Sequence, residues 1–361
     1  MAELLKNLYN PDFIQHLADQ LRKAKPDFQV QAFQDAVLAD PWPTLELKAR
    51  TQHITDMMHQ FLGVSFAEGV DYLGKVAPHF DGYLAMIFPN YVETYGLDED
   101  WEVVIPALEW FTQFSSSEFA VRPFILQDPK RMMAQMEVWS HHENHHVRRL
   151  ASEGCRPRLP WGKALNIFKK DPEPILPILY NLKADASDYV RRSVANNLND
   201  ISKDHPSRVL EVGEEWIGQQ KETDWIVKHA LRTLLKQGNT RALRIFGFGD
   251  PKDVIIRDLK LNPPYPQIGD KATIHCNVEI LKPSKVRLEY IVDFLKANGK
   301  HNPKVFQISE NTFEKATSFD LGRMHDFRQM STRKHYAGVH YLRIIANGEE
   351  KAKIQFDLLS D

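Results

Sequence analysis

At 361 residues the chain is too long for one ordinary hydrophobic core, so two domains or a repeat array is the starting expectation. Hydrophobic content of 43% with 26% charged residues excludes a disordered chain, and no run of about 18 uncharged apolar residues is present to form a membrane-spanning helix. With 46 basic against 48 acidic residues, a formal net charge of −2, a nucleic-acid partner would have to be met by a local basic face. The opening MAELLKNLYNPDF lacks the basic and apolar regions of a secretory signal. Cys155 and Cys276 lie too far apart to suggest a disulfide framework, so the cytoplasm is the expected compartment.

Taken in order, FIQHLADQLRKA, LELKARTQHITDMMHQFL and FAEGVDYLGKVA within residues 1–100 have helical periodicity. Next comes a helix pair, WEVVIPALEWFTQF and SSSEFAVRPFIL, the second helix carrying Glu118 and Val121-Arg122. Three further helices open on a polar residue and proline: Asp128-Pro129, Asp171-Pro172 and His205-Pro206. Each is followed by a second helix, marked by Val147-Arg148-Arg149, Val190-Arg191-Arg192 and Val227-Lys228-His229. These marks recur at roughly the 40-residue interval of HEAT-like helix pairs, which predicts an α-helical HEAT-like repeat solenoid over 1–250. After Gly247-Phe248-Gly249-Asp250 the pattern turns to alternating β-branched runs such as ATIHCNVEI and HYAGVHYLRIIANG, separated by turn residues. The stretch 251–361 therefore reads as an immunoglobulin-like β-sandwich, although it lacks the Cys–Trp–Cys pattern of true immunoglobulin domains.

Stacking such pairs would align Arg122, Arg148, Arg149, Arg191, Arg192, Lys228 and Arg232 into a stripe suited to a phosphate backbone, with Asn196, Asn197 and Lys203 as further donors. The same residues could instead pair with acids or simply solubilise the helices. In SHHENHHVRRLASEGCRPRLPWG, Glu153 ends a helix before Gly154, and Cys155, Arg156, Arg158 and Trp161 follow. Glu118, Glu153 and an indole face would suit a developing cation. Each alone could equally be a salt-bridged acid or a core anchor. On a helix His141 and His145 would share a face, as would His142 and His146, but the order HExxH is missing and no further ligand is evident. Cys155 has no identifiable histidine partner for nucleophilic work. The β-domain segment LGRMHDFRQMSTRKHYAG, with Arg323, His325, Arg328, Arg333, Lys334 and His335, would either close over DNA or form a solvated hairpin.

SSSEFAVRPF (115–124), VWSHHENHHVRRLASEGCRPRLPWG (138–162) and DYVRRSVANNLNDISKDHP (188–206) resemble the AlkC branch of the AlkC/AlkD alkylpurine DNA glycosylases. SEGCRPRLPWG is the specific part; VRRSVANNL is common to many HEAT repeats. The resemblance runs through most of the helical region, and the C-terminal β-domain looks like the extra domain that some members carry. It implies a monofunctional glycosylase that removes cationic alkylated bases such as 3-methyladenine and 3-methylcytosine from double-stranded DNA in base excision repair. Such enzymes engage the lesion from the backbone, without a deep pocket for a flipped base, and need no cofactor or metal. By motif, Glu153, Glu118 and Trp161 match the family's catalytic acids and aromatic, and which acid leads is open. The implied DNA contacts are Arg122, Arg148, Arg156, Arg158, Arg191, Arg192, Asn196, Asn197, Lys203, Lys228 and Arg232, with Arg328 and Arg333 from the β-domain. Nothing in the chain demands more than a monomer, acting at the nucleoid. The competing readings are a HEAT scaffold that binds a protein partner and a metal-dependent hydrolase built on His141–His146.

Overall fold

The structure is a computed structural model and describes residues 4–329 and 334–360. Its helices are α1 (Pro11–Ala24), α2 (Val30–Leu38), α3 (Leu47–Leu62), α4 (Phe66–Val76), α5 (Ile87–Tyr95), α6 (Trp101–Phe111), α7 (Val121–Gln127) and α8 (Pro129–Trp139). They continue as α9 (His145–Gly154), α10 (Asn166–Lys170), α11 (Leu176–Leu182), α12 (Asp188–Ile201), α13 (Pro206–Trp216), α14 (Lys221–Ala230), α15 (Arg232–Lys236) and α16 (Thr240–Ile245). The chain forms two compact units, Met1–Val209 with Gly218–Ala230, and Leu210–Ile217 with Leu231–Asp361. Helix gives way to strand at 250–254, whereas α15 and α16 belong to the second unit. No helix among the described residues is long and apolar enough to cross a membrane.

Local chemistry sets the helix starts. The Asn10 and Asp128 side chains accept the N–H of Phe13 (2.9 Å) and Arg131 (3.0 Å), and Pro11 and Pro129 occupy positions where an N–H would have no helical partner. The Asp171-Pro172 signal behaves differently. It leads into a single 3-10 turn, Glu173–Ile175, before α11, because Pro177 has no N–H with which to close an α-turn on the Glu173 carbonyl. Nor is 115–120 helical, contrary to the expectation from sequence. The Ser117 hydroxyl donates to the Leu108 carbonyl (2.9 Å) and its N–H to the Thr112 hydroxyl (3.2 Å), which holds these residues in turns. Glu118 therefore sits in the turn ahead of α7.

The repeat is legible in the packing. Helix α9 contacts α8, α11 and α12, and α12 in turn contacts α11 and α14. The marker valines Val147, Val190 and Val227 are all buried. On α9 the buried residues Val147, Leu150, Ala151 and Gly154 follow the three-four spacing of one helical face.

In the second unit, β1 (Val254–Asn262), β2 (Lys271–Ile280), β3 (Ser284–Leu295), β4 (His301–Phe313), β5 (Thr317–Asp326), β6 (Gly338–Ala346) and β7 (Glu349–Leu358) form two antiparallel sheets. Their orders are β1-β2-β5 and β4-β3-β6-β7. Strand β2 buries Ala272, Ile274, Cys276, Val278 and Ile280, every second residue, against Val286, Leu288, Val292 and Ile344 of the other sheet. His340 is buried in this core near Phe294 and Phe356, and its Nδ1–H donates to the Gly338 carbonyl (2.9 Å).

Burial pushes the His340 imidazole below its ordinary value of 6.5. The unfolded chain therefore binds a proton that the folded one resists, so this contribution is whole above pH 6.5 and is lost as pH falls through it. Denaturant midpoints should fall between about pH 7.5 and about pH 5.5, and the fall should be smaller in His340→Gln. An identical pH slope in the variant would assign the loss to other groups.

Candidate active site

At the C-terminal end of α9 a chain of alternating charges crosses three elements. Arg149 places Nη1 2.8 Å from Oε2 of Glu118 and Nη2 3.6 Å from Oε1 of Glu153. Arg156 takes the same Oε1 of Glu153 at 2.6 Å and Oδ2 of Asp200, on α12, at 2.9 Å. Lys203 closes the series on Oδ1 of Asp200 at 3.1 Å. Glu153 is only 5% exposed, and an isolated carboxylate there would be costly. Two guanidiniums share its Oε1, while Oε2 accepts no hydrogen bond among the described residues. Glu118 repeats the pattern, with Oε2 taken by Arg149 and by the Ser116 hydroxyl (2.9 Å), and Oε1 left open.

Burial alone would draw the Arg149 guanidinium down, but Glu153 and Glu118 overcome it and its pKa is raised. Arg156 is raised in the same way by Glu153 and Asp200. The Tyr189 ring, on α12, lies under the Arg149 guanidinium at 4.4 Å, and burial raises its phenol. Gly154 is required where it stands, since a Cβ would meet Val121 Cγ2 at 2.6 Å and Met136 Cε at 3.0 Å.

The loop beyond α9 carries Trp161 at φ 63°, with its side chain 67% exposed. Arg122 fastens this loop from beneath, donating Nε–H to the Lys163 carbonyl (2.7 Å) and Nη1–H to the Gly154 carbonyl (2.8 Å). Lys48, on α3, donates to the Trp161 carbonyl. A cavity of about 340 Å³ lies beside the loop, lined by Lys48, Asn90, Glu93, Phe119, Arg122 and Trp161 among others, and by none of the acids of the charge chain. Burial raises the Glu93 carboxyl there, with Lys48 opposing.

Two family models match the chain, "DNA alkylation repair enzyme" over 94–234 and "Uncharacterised protein YhaZ, C-terminal Ig-like domain" over 255–360. The YhaZ protein of Bacillus subtilis is 46% identical over 358 residues, 99% of this chain and 100% of that one. The solved Pseudomonas fluorescens alkylpurine DNA glycosylase AlkC, bound to DNA containing an abasic site analog, is 38% identical and covers 99% of this chain and 100% of its own, with a TM-score of 0.84. This chain belongs to the AlkC branch of the alkylpurine DNA glycosylases.

Against the AlkC-branch expectations, the structure brings Glu118 and Glu153 together through Arg149 and leaves Trp161 at the surface. Several of the expected DNA contacts are engaged within the fold. Arg122 is 1% exposed, and burial pulls its pKa down to about 10; it is a strut beneath the loop. Arg148 spends its donors on Asp185 (2.6 Å) and on the carbonyls of His142 and Glu143. Arg191 likewise reaches the carbonyls of Asp185 and Ala186, six and five residues back, so the first arginine of each Val-Arg-Arg closes the loop before its own helix. Arg156 is buried in the charge chain. Asn197 is buried and donates to the Ser152 carbonyl (2.8 Å). Asn196 faces His229, and Arg158 pairs with Asp204. Arg192, Lys228, Arg232 and Arg328 stay at the surface, whereas Arg333 lies outside the described residues.

The histidine cluster does not share a helical face. His141 and His142 lie in the turn before α9, His142 Nδ1 accepts the Asn144 N–H (2.9 Å), and no group of metal-ligating residues occurs among the described residues. Both cysteines are free, and burial lifts the Cys155 thiol to about 12, unsuited to a nucleophile. Sequence reasoning missed Arg149 as a bridge, though its four-residue spacing to Glu153 on one helix was a usable signal. Asp200, Tyr189 and Lys48 gave none, because their partners lie in other repeats.

Arg148→Ala should destabilise the protein by about 2–3 kcal/mol, since it strands Asp185 and two carbonyls. Arg192→Ala, at 66% side-chain exposure, should change stability by no more than about 0.5 kcal/mol. Urea unfolding of both variants checks this, and equal costs would contradict the division between the two arginines.

Proposed function

We propose that this protein is a monofunctional DNA glycosylase that hydrolyses the C1′–N bond of cationic alkylated bases, 3-methyladenine and 3-methylcytosine among them, in double-stranded DNA. The observation that carries the reading is the pair Glu118 and Glu153, each clamped by Arg149 through one oxygen and each keeping the other oxygen open. Base removal leaves an abasic site, and the AlkC relative is bound to DNA containing an analog of one.

A base carrying a positive charge needs little acid assistance to depart. The electron pair of the C1′–N bond goes to the base and neutralises it, and the positive charge passes to the deoxyribose as an oxocarbenium ion. Fixed carboxylate oxygens stabilise that ion best when they do not have to reorganise, and the arginine clamps supply this rigidity. Water then bonds to C1′ and gives its proton to the open oxygen of Glu153 or Glu118. Trp161 presents its indole to the sugar or the base. Arg192, Lys228, Arg232 and Arg328, with Arg158 and Lys203 at the exposed ends of their ion pairs, are the proposed contacts to the phosphate backbone. The lysine of the charge chain, Lys203, is paired with Asp200, which favours hydrolysis over lyase chemistry.

Duplex DNA treated with a methylating agent should release 3-methyladenine or 3-methylcytosine on incubation with the protein in EDTA, as read by chromatography. Glu153→Gln should slow release by a factor of about a hundred to a thousand. Thermal unfolding of the variant separates lost chemistry from lost folding. Full excision by the folded variant would remove Glu153 from the mechanism, and absence of release by the unaltered protein would remove the glycosylase reading.

A further inference from the structure

We propose that Lys48, in the first turn of α3, is a positioning residue for Trp161, so that the N-terminal helices form part of the active site. The assignment rests on the glycosylase reading above for its kinetic consequence, though not for its geometry.

Trp161 presents a difficulty that the loop does not solve by itself. Its φ of 63° is in the left-handed region, which a bulky L-residue adopts only when its surroundings enforce it. Its side chain is largely in solvent, so packing does not enforce it. Beside the loop is open space of about 340 Å³ into which an unrestrained segment could settle. Buried Leu159 and Leu165 anchor the loop on either side, and polar bonds to the backbone fix the exposed stretch between them. Two are internal, from Gly162 N–H to the Leu159 carbonyl and from Leu165 N–H to the Pro157 carbonyl, both 3.2 Å. Arg122 holds the next carbonyl but one, that of Lys163. Lys48 holds the carbonyl of Trp161 itself, across 113 residues of chain.

Lys48 also connects the two halves of the site. Its ammonium lies 5.2 Å from the centroid of the Phe119 ring, and Phe119 directly follows Glu118. One side chain thus ties the aromatic loop to the turn that carries a candidate catalytic acid. Glu93, across the cavity, is the carboxylate that faces this ammonium. None of these N-terminal residues falls within 94–234, the stretch matched to the DNA alkylation repair enzyme model.

The test uses full-length protein labelled with 5-fluorotryptophan, in which the resonance of Trp161, one of seven tryptophans, is identified by its loss in Trp161→Phe. In Lys48→Met that resonance should shift and broaden while the other tryptophan lines, which report folding, stay in place. Lys48→Arg should restore it. On methylated duplex, Lys48→Met should lower the single-turnover rate of excision roughly tenfold or more, through misplacement of the indole, with the DNA Kd little changed. In a Trp161→Phe background it should add no further loss. A Trp161 line unmoved in Lys48→Met, or a rate loss that adds in full to that of Trp161→Phe, would overturn the assignment. The spectrum is read without DNA, so an inactive protein would sink the glycosylase reading while the shift still decides the role of Lys48.

Discussion

Two carboxylates in a largely dry wall repel one another, and each resists leaving water; Arg149 makes their coexistence possible. It reaches Glu118 and Glu153 with different nitrogens of one planar group, and Tyr189 supports its face. Much else in the first unit serves this contact. The turn at 117–120 must be held by the Ser117 hydroxyl so that Glu118 comes forward, and α9 must end close to Val121 and Met136, which only a glycine at 154 permits. Arg156, Asp200 and Lys203 extend the neutralisation outward to a lysine that solvent can reach.

Acid and aromatic are held by separate means. The acids are fixed by ion pairs to Arg149 of α9, whereas Trp161 stands on a loop fixed by cations that bond carbonyl oxygens. Arg122 is the physical link between them, since it grips the Gly154 carbonyl at the end of the acid-bearing helix and the Lys163 carbonyl in the aromatic loop. Among the described residues this buried guanidinium has no carboxylate of its own, and its lowered pKa reflects that burial.

The architecture was open to reading because it repeats. Polar-proline starts, marker valines and strand alternation each recur, and recurrence distinguishes a pattern from an accident. Asp128-Pro129 performed as its chemistry dictates, while Asp171-Pro172 did not, since Pro177 lies five residues further on and removes the donor. The site was legible in part. Glu153, Gly154 and Trp161 are close in sequence and belong to one specific stretch, but their partners Asp200, Tyr189 and Lys48 come from other repeats, and one sequence contains no record of which surfaces meet. Basic residues were the least legible. Lysine and arginine look alike in a linear pattern whether they face phosphate, a neighbouring acid or a loop carbonyl, and Arg122, Arg148 and Arg156, like the amide of Asn197, are buried or engaged within the fold.

The Val-Arg-Arg mark implies a division of labour that bears on how such an array can diversify. Arg148 and Arg191 perform the same task in successive repeats, each sealing the loop that leads into its own helix, so a copied repeat arrives with its closure intact. The neighbouring position is released from that duty. In one repeat it is Arg149, at the centre of the charge chain; in the next it is Arg192, in solvent beside Asp188. Chemistry can therefore be concentrated in a single copy while its sisters remain scaffolding, and a reactive centre can arise in a duplicated array without loosening the joints between its members.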